Sequence, residues 1–286
     1  QDYTLRAPDV FAAFPNIASL SLHGCHPVPL AHCLGRIVTA GGAQLRRLKI
    51  QMFVEASFGP PNSNDGRLIA GAVPALADAL RRNGQRLEAL TLTDFDVLCR
   101  SRADGEALVE AIAGLRSLGK LELVRRDHPT DNHEYEIRHV LVKPRSYELN
   151  ELLYLPLLRR LAAANTTDGA PLRHLMLNED MICDRPGLEL TPDTAAGASA
   201  TGGAPAKPAG AGAQRGRLAG MRRLELYGAA GAIAPAVLPL MPRLESLATE
   251  AVRKADVPLV MGALAAAAEQ GRLAKLRELH LAVGCD

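Results

Sequence analysis

The side chains best suited to chemistry fall into two groups. The first is His23, Cys25, His26, His32 and Cys33, the imidazole and thiol types that hold zinc. A tetrahedral centre needs its ligands to converge on one point. Cys25, however, belongs to a hydrophobic motif that recurs along the chain, and His32 and Cys33 are neighbours on an expected helix, where adjacent side chains diverge. The second group is His128, His133 and His139, interleaved with Asp127, Asp131, Glu134 and Glu136. Separations of five and six residues fit neither one helix face nor a tight zinc knuckle, so this stretch reads as an exposed polar loop. No HExxH, GxSxG or GxxxxGK[ST] motif occurs, and Gly210, Gly212 and Gly216 lie in low-complexity sequence, away from any strand. The expectation is a chain with no catalytic residue, no metal, no cofactor and no small-molecule substrate.

The elements around these residues follow from one repeated spacing: an aliphatic residue, two variable positions, Leu, one variable position, Leu. It occurs as Ile17-Leu20-Leu22, Leu45-Leu48-Ile50, Leu87-Leu90-Leu92 and Leu118-Leu121-Leu123. It returns as Leu172-Leu175-Leu177, Met221-Leu224-Leu226 and Leu276-Leu279-Leu281, with a degenerate copy at Leu244-Leu247-Thr249. In a short strand alternate side chains face opposite sides, so the last two aliphatic residues point inward and the positions flanking them point outward. Each buried Leu contributes about 1.5–3 kcal/mol, but one copy cannot cover its own apolar face, so neighbouring copies must stack. Helical spacing between the strands predicts helices over 29–39, 72–82, 104–115 and 150–163, and a further one with Asp256 as N-cap, Pro258 in its first turn and Gly271 as its stop. Two insertions interrupt the series. Residues 125–145 are polar, with a possible strand at 137–142. Residues 184–217 are dominated by Ala, Gly and Pro and are expected to be disordered.

Composition agrees with thin repeated layers. Hydrophobic residues make up 48% and aromatics only 3%, with no Trp, so the core must be built from Leu, Ala, Val and Ile. A net charge of +2 gives no general attraction to nucleic acid or anionic membrane, and neither is expected as a partner. Five irregularly spaced Cys argue against a disulfide framework and for a reducing compartment. No signal peptide is visible, and the apolar run 257–268 is too short to span a bilayer. The first residue is Gln1 and the last, Asp286, follows a strand motif, as expected for a piece of a longer protein.

The eight motif copies, alternating with helices, resemble the leucine-rich-repeat superfamily in its ribonuclease-inhibitor-like subtype. In some members Asn or Cys stands three positions beyond the last Leu. Cys25 matches that position, whereas Phe53, Phe95, Arg126, Asp180, Ala229 and Gly284 occupy it elsewhere. The resemblance implies an α/β solenoid over residues 1–286 as a single domain, with a parallel concave sheet and convex helices. It also implies a protein partner on the concave face. Strand alternation places Ser21 and His23, then Arg47, Lys49 and Gln51, then Thr91 and Thr93, then Lys120 and Glu122 on that face. His174 and Met176, Arg223 and Glu225, and Glu278 and His280 continue it. Ser19, Ala89, Val124, Asn178, Tyr227 and Ala282 complete the outward rows, and Arg47 with Lys49 forms a basic spot too small to argue for nucleic acid. Residues 14–25 are similar to the substrate-recognition part of F-box ubiquitin-ligase adaptors, which implies a cytoplasmic interaction module. The alternatives are a GTPase-activating regulator similar to the Ran-activator family and a structural subunit of a larger assembly.

Overall fold

The computed structural model describes residues 17–25, 45–52, 72–83, 86–95, 101–125, 150–164, 170–179, 216–228, 233–252 and 257–283. Eight strands form within them: β1 (Ser19–Cys25), β2 (Arg47–Met52), β3 (Ala89–Thr93), β4 (Lys120–Arg125), β5 (His174–Glu179), β6 (Arg223–Gly228), β7 (Ser246–Val252) and β8 (Glu278–Val283). They make one parallel sheet in sequential order, and each strand coincides with one copy of the repeated spacing. The helices are α1 (Ala72–Asn83), α2 (Arg102–Ala113), α3 (Leu155–Ala163), α4 (Ala234–Val237) and α5 (Val257–Glu269). The chain is therefore of the α/β class, as its alternation of periods requires.

The register explains why the spacing is kept. Leu20, Leu48, Leu90, Leu121, Leu175, Leu224, Leu247 and Leu279 are successive partners across the sheet. Leu22, Ile50, Leu92, Leu123, Leu177, Leu226, Thr249 and Leu281 form a second inward ladder, two residues further along. From β2 to β7 both ladders are buried, and the first aliphatic residue of each copy packs with them. In β8, which has a single strand neighbour among the described residues, Leu279 is 51% exposed. A hydrogen-bond ladder locks the register at the strand entrances. One carbonyl before each strand accepts two successive amides of the next: Ala18 O from Arg46 and Arg47, Arg46 O from Glu88 and Ala89, Glu88 O from Gly119 and Lys120. Gly119, Arg173, Arg222 and Glu245 carbonyls continue the series to β8.

Helix α1 runs over the expected residues and buries Val73, Leu76, Ala77, Ala79 and Leu80. Helix α2 starts two residues earlier than the apolar pattern suggested. Ser101 in extended conformation accepts the Asp104 amide at 3.2 Å and donates its hydroxyl to Asp104 Oδ2 at 2.8 Å, which satisfies an otherwise orphan helix donor. The segment expected as one helix over 150–163 opens with a π-helical turn, Asn150–Tyr154, before α3. There Gly105 of α2 lies so close that a Cβ on it would sit 2.5 Å from the Leu152 carbonyl oxygen.

The expected disorder of 184–217 is corrected at its last residues. Gly216 bridges and Arg217 opens a 3-10 turn (Arg217–Gly220) as one of the most deeply buried side chains, 1% exposed. The rest of that insertion lies outside the described residues, as do the helix at 29–39, the strand at 137–142, the Asp256 cap and all of the 125–145 insertion except Arg125, which ends β4. No described helix is long and apolar enough to cross a membrane.

Candidate binding face

Because inward Leu alternates with outward residues on every strand, the outward positions align into three rows that cross the sheet. The first row is Ser19, Arg47, Ala89, Lys120, His174, Arg223, Ser246 and Glu278. Ser21, Lys49, Thr91, Glu122, Met176, Glu225, Ala248 and His280 make up the second. Gln51, Thr93, Val124, Asn178 and Tyr227 belong to the third, which His23 joins by donating Nδ1–H to Gln51 Oε1 at 3.0 Å. All fifteen residues assigned to the face from the sequence thus lie on it. Sequence reasoning omitted the positions that β7 contributes, Ser246 and Ala248, because the Leu244-Leu247-Thr249 copy is degenerate.

Two carboxylates organise the middle of the face. Glu122 accepts Lys120 Nζ at 2.7 Å and the Thr91 hydroxyl at 2.7 Å. Burial works to raise its pKa, but these two bonds and the positive charge of Lys120 win, so it is held below its ordinary value. Glu225 is more enclosed. Its Oε1 accepts Arg223 Nε at 2.6 Å and His174 Nε2 at 3.0 Å, and its Oε2 accepts the Tyr227 hydroxyl at 2.7 Å. Burial again opposes the charge, and the hydrogen bonds from Tyr227 and Arg223 outweigh it, lowering the pKa. An ionised carboxylate only accepts, so His174 carries its proton on Nε2. Burial lowers the His174 pKa, against the upward pull of Glu225. Tyr227 was recognised as outward from the sequence but not as part of the site. The available signal was its position two residues beyond Glu225 on the same face.

The two ion pairs share an unequal arrangement. The side chain of Lys120 is 45% exposed and that of Glu122 only 19%; Arg223 is 56% exposed and Glu225 only 9%. The carboxylates lie low on the sheet and the cations stand above them. Arg47 and Lys49 are exposed and make no ion pair among the described residues. Thr93 faces outward but is 6% exposed and Glu225 7%, so little of either side chain is open to solvent.

At the β1 end, Ser21 Oγ lies 2.8 Å from His23 Nε2, so His23 bridges Ser21 and Gln51 through both ring nitrogens. Of the zinc-type cluster only His23 has a described side chain; Cys25 is described as backbone alone, and His26, His32 and Cys33, like the His128, His133 and His139 loop, lie outside the described residues. Among the described residues no group of three or more His, Cys, Asp or Glu converges. The arrangement supplies a firm, polar surface of fixed charges. The described partners of the His174–Glu225 pair are Arg223 and Tyr227. No protein-family model matches the chain, and no curated protein sequence matches it.

Proposed function

We propose that this chain is a leucine-rich-repeat solenoid and serves as a non-catalytic module that holds a protein partner against the outward face of its sheet. The observation that carries this reading is the braced charge layer. Glu122 and Glu225 each hold their neighbours through two or three hydrogen bonds, so the cations above them are positioned before any partner arrives. Pre-ordered side chains reduce the conformational entropy lost on association, which suits a binding surface. Stacked parallel strands with helices between them are what the repeat resemblance implies, and a concave sheet would wrap a partner across several strands. The finer reading, substrate recognition in a cytoplasmic ubiquitin-ligase adaptor, rests on the resemblance of residues 14–25 and on the irregular cysteines.

Photo-crosslinking tests the proposal. A photoreactive amino acid is placed at Thr91 or Met176 on the outward face, and at Pro74 or Arg159 on exposed helix positions. The expected result is one common partner protein crosslinked from both sheet positions and not from the helices. Crosslinks confined to the helix positions would overturn the reading.

A further inference from the structure

The first outward row alternates with the strand number. Arg47 on β2, Lys120 on β4, Arg223 on β6 and Glu278 on β8 are charged, while the strands between them contribute Ala89, His174 and Ser246. The three cations and the closing carboxylate therefore recur every second strand, about 9.6 Å apart at ordinary strand spacing. A chain in extended polyproline-II conformation advances about 9.3 Å every three residues and returns to the same face at that step. The two periods match.

The sign of the surface agrees. Between β2 and β6 the first two rows hold four cations, Arg47, Lys49, Lys120 and Arg223, against the two recessed carboxylates of the braces. Ala89 leaves room between Arg47 and Lys120, and His174 lies low between Lys120 and Arg223 as it turns to Glu225. Glu278 is close enough for its charge to act on Arg223. A uniformly anionic polymer such as nucleic acid would place a phosphate over Glu278 and be repelled. A protein segment can change sign there.

We propose that this row docks an extended acidic protein segment lying across the strands, with anionic side chains at every third residue facing Arg47, Lys120 and Arg223 and a basic residue three further on facing Glu278. The inference rests on the reading of the face as a protein-binding surface and names the chemistry of its partner.

The test is fluorescence anisotropy with the purified chain and two labelled synthetic peptides of identical composition in a proline-rich frame. One carries glutamates at every third position and a lysine three residues beyond the last; the other carries the same glutamates side by side. The spaced peptide is expected to bind at least ~10-fold tighter, with affinity falling as salt screens the contacts. Arg47→Glu and Glu278→Lys, which leave both carboxylate braces intact, each remove most of that preference. A peptide with the opposite charge at the facing position restores it. Equal binding of the two peptides, or tighter binding of a duplex oligonucleotide than of the spaced peptide, would overturn the proposal. A partner still crosslinked from Thr91 and Met176 but insensitive to Arg47→Glu and Glu278→Lys would sink the acidic segment while leaving the binding face standing. Crosslinks from the helix positions alone in the unsubstituted chain would sink the face itself.

Discussion

Replacing Arg217 by Met removes a cation that ties three distant parts of the chain together. Its Nε donates to Ala170 O at 3.1 Å, Nη1 to Ala113 O at 2.9 Å, and Nη2 to Leu115 O at 2.9 Å and Leu118 O at 3.1 Å. The last residue of α2 is Ala113, and that helix has no basic residue in its own last turn. Arg217 supplies from about a hundred residues away the positive charge and donors that a helix C-terminus wants. Among the described residues all of its hydrogen-bond partners are carbonyls, and burial lowers its pKa. Four bonds from a charged donor at about 1.5–3 kcal/mol each set the gross scale. Dehydrating the guanidinium cancels roughly half of that, and the net loss expected in Arg217→Met is about 3–5 kcal/mol, because four carbonyls are left facing a thioether. For a chain of this size that is a fall of about 6–20 °C in Tm. Urea unfolding followed by far-ultraviolet circular dichroism measures it. Arg82→Ala, which breaks an exposed Arg82–Asp78 pair on α1, is the control and is expected to cost about 0.5 kcal/mol or less. An Arg217→Met protein within about 1 kcal/mol of the original would refute the reasoning, since the orphaned carbonyls would then be hydrated and the staple dispensable.

Three further outcomes follow from the same physics. The hydroxyl of Thr249 is buried between Leu226 and Leu281 with no hydrogen-bond partner among the described residues, so Thr249→Val should stabilise by about 1–2 kcal/mol in the same urea assay; a destabilised variant would mean that the hydroxyl is satisfied. Gly105→Ala drives a methyl into the Leu152 carbonyl, and the expected loss is about 1–3 kcal/mol even though alanine favours the helix by about 1 kcal/mol; a gain would show that α2 and the π-helical turn separate freely. With the His174 pKa lowered by burial, the unfolded chain binds more protons than the folded one between the two pKa values. The stability His174 confers is therefore whole above pH 6.5 and is lost as pH falls through the lower, folded value. An imidazole NMR titration should give a midpoint below 6.5, displaced further down in Glu225→Gln, and a midpoint above 6.5 would contradict the burial argument.

Strand positions were legible because a period of two is local: Leu90 and Leu92 need only their own strand to be placed, and the register Leu48–Leu90–Leu121 follows once copies stack. The composition of the outward face was legible for the same reason. Its energetics were not, because Thr91, Glu122, Arg223 and Tyr227 have the ordinary sequence surroundings of solvated polar residues, and only the sheet brings Thr91 within 2.7 Å of a carboxylate on the next strand. Arg217 marks the deeper limit. At the end of an Ala, Gly and Pro stretch a cation reads as solvated, yet three of the four carbonyls it satisfies lie on α2 and the turns after it, about a hundred residues earlier in the chain. A sequence window registers which groups a residue carries, while an unsatisfied carbonyl elsewhere leaves no mark in that window. The backbone groups at the end of α2 depend on one long donor from elsewhere, and that donor opens the turn whose buried Leu218 and Met221 lead into β6.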